Sequence, residues 1–163
     1  MRKLVIWISL LGLSFSAWAD MESKAEGMAM VGTETVKMTQ AYAVTETGPD
    51  KQTVARMFLT PYPVPEDQLS PSKRAKWFRE HGGHVLMVGL SEAELVEGDT
   101  YTVRVTEIGQ DGEPSSSCSG TTITFSEHST ERVAGTLEGG VSTLSFAATV
   151  RDLKADAKTP PAK

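Results

Sequence analysis

The chain has 163 residues, a length that supports one sizeable core and hardly two. Its 39% hydrophobic and 23% charged content is that of a globular protein, which excludes disorder throughout. With 16 basic against 21 acidic side chains the net charge is −5, which argues against nucleic-acid backbone binding as the main task, since that needs a concentrated positive surface; a single cysteine excludes an internal disulfide.

The first element reads as an export signal. Arg2 and Lys3 precede an uncharged run, Leu4 to Phe15 (LVIWISLLGLSF), and Ala17-Trp18-Ala19 places small residues where a signal peptidase cuts. The run is too short for a helix that spans a bilayer, which needs about 20 residues. Residues 1–19 are therefore expected to be a signal peptide, with a mature protein that starts at Asp20, has no membrane span and is periplasmic or secreted. Cleavage removes Arg2 and Lys3 and takes the net charge from −5 to −7.

Residues 20–27 (DMESKAEG) are polar and read as a flexible N-terminus. A single β-domain is expected over 28–151, followed by a disordered tail over 152–163. Met28 to Met38 reads as one alternating strand, with Met30, Val36 and Met38 on a common side. After Gly48-Pro49-Asp50, Thr53 to Thr60 (TVARMFLT) is apolar on both faces apart from Arg56, the mark of a central strand. Ser70 and Pro71 open a helix over Ser72 to His81 that Gly82 stops. Its basic residues Lys73, Arg74, Lys76 and Arg79 leave Ala75, Trp77 and Phe78 to pack.

Strands follow at His84–Leu90, at Thr100–Ile108 and around Thr121–Phe125, Val133–Leu137 and Leu144–Val150. An acidic link (Ser91–Asp99) and turns at Gln110–Pro114 and Glu138–Gly140 separate them. Short alternating strands with Gly-rich turns predict a mainly β fold, an antiparallel β-sandwich or barrel with one short helix. In the order of the pieces Ala41-Tyr42-Ala43, TVARMFLT, Ser119-Gly120 and Val133-Ala134-Gly135-Thr136-Leu137-Glu138-Gly139-Gly140 the chain resembles small uncharacterised exported bacterial β-domain proteins. That resemblance implies a compact β-domain and transfers no activity or site residue.

Few constellations offer chemistry. His81-Gly-Gly-His84 with His128 is a candidate metal set, because converging imidazoles suit zinc or copper; a helix cap and a strand-start histidine explain the same residues. Met21, Met28, Met30 and Met38 offer thioethers for copper, against core packing as the simpler role. Cys118 sits in a Ser-rich segment read as a loop, with no cation or helix terminus signalled to activate it. No catalytic set is identified, and the chain is read as an exported, non-enzymatic binding or protein-interaction domain that needs no cofactor. The alternative is a periplasmic metal-binding protein for copper or zinc. Its partner is expected to be an envelope protein or small ligand, and the contrast of a basic helix with an acidic body makes Lys73 and Lys76 the candidate partner-binding residues.

Overall fold

The computed structural model describes residues 23–48, 50–90, 97–139 and 142–153; the expected signal peptide, most of the acidic link and the tail after Leu153 lie outside them. Among the described residues nine strands follow the chain: β1 (Ser23–Val31), β2 (Glu34–Met38), β3 (Gln40–Thr47), β4 (Thr53–Thr60), β5 (Val85–Gly89), β6 (Thr100–Ile108), β7 (Pro114–His128), β8 (Arg132–Gly139) and β9 (Ser142–Asp152). A 3-10 turn (Glu66–Gln68) and one helix, α1 (Pro71–Glu80), lie between β4 and β5.

Strands β3 to β9 close into a seven-strand barrel in the order β3-β4-β5-β6-β7-β8-β9, with β9 returning to β3. Of the two architectures the sequence left open, the barrel is the one formed. Every pairing is antiparallel except the closure, where Val44 lies opposite Arg151 in a parallel β3–β9 ladder. On that same edge of β9 the first half of β1 pairs antiparallel, Ser23 opposite Ala148 and Gly27 opposite Leu144. The rest of β1 forms a hairpin with β2 around Gly32-Thr33.

Two apolar clusters divide along the sheet. The interior cluster takes residues from all nine strands, including Met38, Met57, Leu59, Val88, Ile123, Phe125, Leu144 and Phe146. The second, built from Tyr42, Val44, Phe58, Val64, Leu69, Phe78, Val85, Ile108 and Leu153, lies on the outer face of β3, β4 and β5 under α1. Neighbouring residues such as Met57 and Phe58 point to opposite faces of the pleat and are both fully buried. This double burial is the physical reason TVARMFLT carries no polar face.

The helix limits follow local chemistry. Pro71 occupies the first turn, and Gly82 adopts φ +84. The Gly82 N–H donates to Arg79 O and the Gly83 N–H to Phe78 O, the paired bonds of a left-handed C-terminal cap. Ser70 stands at the N-cap position without a side-chain capping bond.

Four expectations change. Residues 23–27, expected to be flexible, are in β1, because their backbone pairs with β9. Met28 to Met38 is a hairpin, not one strand. A two-residue loop reverses the parity of the alternation, so Met38 is fully buried while Met28 (45% exposed) and Met30 (41% exposed) face outward opposite Lys37 and Thr35. The segment 114–120 continues strand β7, and Cys118 has its backbone paired with Val105 instead of lying in a loop. Finally, Asp152 still belongs to β9, and buried Leu153 donates its N–H to Thr45 O, so order extends past 151.

Candidate functional site

A buried network of charged side chains lies between α1 and the barrel wall. Glu46 of β3 is 4% exposed and faces outward, in line with Tyr42 and Val44. Arg74 of α1 binds it through both terminal nitrogens, Nη1 to Oε2 at 2.5 Å and Nη2 to Oε1 at 3.0 Å. Arg56 of β4 adds Nε 2.8 Å from Oε1, and its Nη1 donates to Met87 Sδ at 3.3 Å. The Arg74 guanidinium also covers the Phe58 ring at 4.9 Å, and Arg151 of β9 lies 5.7 Å from the Tyr42 ring. A planar fork facing a carboxylate is the strongest ion-pair geometry a side chain offers, and burial sharpens the cost of breaking it. This network clamps the helix to the wall. Arg74 thus belongs to the packing side of α1, together with Phe78 and half-buried Trp77, whereas Ala75 is exposed; the expected division of the helix is corrected at those two positions.

What remains outward on α1 is Lys73, Lys76 and Arg79. The Lys73 and Lys76 side chains are 53% and 72% exposed and form surface ion pairs with Asp67 at 3.4 Å and Glu80 at 3.7 Å. The turn after β6 packs beside them. Gly112, at φ +78, lies so close to the Ala75 carbonyl and Arg79 that a Cβ would collide with both. Asp111 and Glu113, on either side of that glycine, border the basic face.

At the C-terminal end of α1, His81 stacks on Trp77 with ring centroids 3.9 Å apart. Its Nδ1 donates to Trp77 O at 2.9 Å, which requires the proton on Nδ1. Tyr62 packs 5.6 Å from the same imidazole, and its hydroxyl donates to Gly83 O at 3.0 Å. Burial pushes the Tyr62 phenol from 10.0 up to about 12.

The three histidines occupy three different environments. His84, at φ +59, leads into β5 and places Nε2 3.5 Å from Glu34 Oε2 and 3.5 Å from Gln110 Nε2. His128 ends β7, edge-on to Phe125 at 5.0 Å, with its N–H donating to Glu97. Val85 pairs with Ile108 at one end of β6, and Thr100 pairs with Thr124 at the other. His128 lies four residues beyond Thr124, so the length of β6, on the order of 25 Å at about 3.3 Å per residue, separates it from His84. The expected set of His81, His84 and His128 is therefore not assembled. Among the described residues no group of three or more His, Cys, Asp or Glu side chains is placed to hold a metal ion.

At the His84 end, the β1–β2 hairpin tip leans over the barrel rim. Glu107 of β6 is buried and accepts the Gly32 N–H at 2.8 Å, which ties the tip to the wall. Neither Glu107 nor Glu46 stood out in the sequence. The single arginine in an otherwise apolar β4 was the one signal that a buried carboxylate must lie nearby. Among the described residues no helix is long and apolar enough to cross a membrane. Comparison of the chain with protein-family models, with curated proteins and with solved structures returned no match.

Proposed function

We propose that the chain is an exported, non-enzymatic binding domain of the bacterial envelope, akin to the small exported β-domain proteins it resembles, and that the outer face of α1 is its contact surface. One observation carries this reading: Arg74 turns inward onto Glu46, while Lys73, Lys76 and Arg79 stay outward on a helix fixed to a closed barrel. A rigid helix presents its charges without losing much conformational entropy on contact, which favours recognition of an acidic partner. The expected partner is an acidic segment of an envelope protein. Export rests on Arg2-Lys3, the apolar run and Ala17-Trp18-Ala19; the secreted material should begin at Asp20, and a membrane-bound chain that retains Met1 would contradict it. For the contact face, retention of the purified protein on immobilised polyglutamate is the probe. The parent should bind at low salt and elute as salt rises, and the Lys73→Glu, Lys76→Glu variant should flow through. Equal retention of parent and variant would remove the α1 face from consideration.

A second reading, copper handling, is favoured by Met28 and Met30 alone, two exposed thioethers on one face of β1. Elemental analysis of the purified chain separates the two: stoichiometric copper supports the second reading and its absence the first.

A further inference from the structure

We infer that Met28 and Met30 form a reversible oxidation site for small two-electron oxidants such as hydrogen peroxide. The five described methionines divide sharply. Met38 and Met57 are fully buried in the barrel interior, and Met87 is half-buried with its sulfur occupied by Arg56 Nη1. Met28 and Met30, by contrast, are the exposed large hydrophobic side chains among the described residues, two residues apart on the outer face of β1. The parity reversal at the Gly32-Thr33 turn produces this: it turns both thioethers to solvent while Ala29 and Val31 fill the interior positions between and beyond them.

Their cross-strand neighbours are polar, Lys37 opposite Met28 and Thr35 opposite Met30, both on β2 at the end of the sheet order. A sulfur lone pair attacks one peroxide oxygen, the O–O bond breaks, an S–O bond forms, and the peroxide leaves as water. Each sulfur is oxidised by two electrons. The sulfoxide is polar and would disrupt an apolar core, but here its oxygen points to water beside an ammonium and a hydroxyl. Oxidation at these positions therefore spares the fold, whereas the same step at Met38 would not. The reaction that consumes the product is thiol-dependent sulfoxide reduction, in which two thiols become a disulfide and the oxygen leaves as water; both sulfoxide epimers require reductases of opposite stereochemistry.

Trypsin separates the sites, since cleavage after Lys24 and Lys37 releases one peptide with Met28 and Met30, while Met38, Met57 and Met87 fall in three others. The folded chain is treated with limiting hydrogen peroxide, digested and weighed. The peptide from Ala25 to Lys37 should gain first one and then two oxygens, at least about tenfold faster than the other three peptides. The melting temperature should not move, and a mixture of the two stereospecific reductases with dithiothreitol should return the parent mass. Comparable rates in all four peptides, or loss of the fold with the first oxygens, would overturn the site. A sulfoxide that the reductases leave untouched on the folded chain would overturn its reversibility.

Discussion

Side chains that touch the barrel wall do more for this fold than those beside them on the helix. Phe78 is buried against Phe58, with ring centroids 5.9 Å apart, whereas Trp77 is half-buried and shares its face with His81. Phe78→Ala should therefore cost about 3–5 kcal/mol and Trp77→Ala about 1–2 kcal/mol, read from denaturant midpoints. Equal effects would mean that the helix docks through the indole. The ion pairs divide in the same way. Glu46→Ala strands two guanidinium groups and should cost about 3–5 kcal/mol, while Lys73→Glu with Lys76→Glu should change stability by no more than about 1 kcal/mol. A titration supplies an independent check on Tyr62. Because burial raises its phenol to about 12, the folded state holds the proton more tightly than the unfolded state. The stabilisation is complete below pH 10 and falls as pH rises toward 12; Tyr62→Phe should flatten that alkaline limb of the stability curve.

At the scale of elements, what could be read in the sequence was what local rules determine. Pro71, Gly82 and the amphipathic spacing between them bounded the helix, and Thr100–Ile108 alternated cleanly enough to mark its strand. The hairpin at Gly32-Thr33 leaves no mark in the sequence, because Met28, Met30, Val36 and Met38 fit a single alternating pattern and a tight turn that reverses parity leaves that pattern looking continuous. Strand β7 reads short in the sequence because serines over 115–119 resemble a loop; Gly120, at φ +86, marks an irregularity in its register against β6 instead of a strand start. Non-local contacts left little trace. Nothing near Glu46 announces Arg74, and nothing in β9 announces a parallel partner in β3. The hairpin offers its own test. Glu107→Ala removes the acceptor of the Gly32 N–H, so amides of Val31 to Glu34 should exchange faster with solvent, at a global cost of about 1–3 kcal/mol. Unchanged exchange there would mean that the tip is held by Ala29, Val31 and the Glu34–His84 contact without the Glu107 bond.

For the molecule as a whole, closure is the decisive property. A closed barrel removes most exposed strand edges and gives α1 a continuous wall to dock on, so the charges of Lys73, Lys76 and Arg79 are carried on one rigid body. The antiparallel expectation holds along the chain and yields only where β9 meets β3, because β9 borders first β1 and then β3 along a single edge. That parallel junction completes the ring, and the contact face on α1 presupposes it. The most direct measurement is isotope-edited nuclear Overhauser spectroscopy of the folded protein across this seam. Closure predicts cross-strand contacts between the backbones of Ala43 to Thr45 and Val150 to Asp152, together with those joining β8 to β9. Contacts from β8 to β9 without any from β3 to β9, with rapid amide exchange along both unpaired edges, would contradict it.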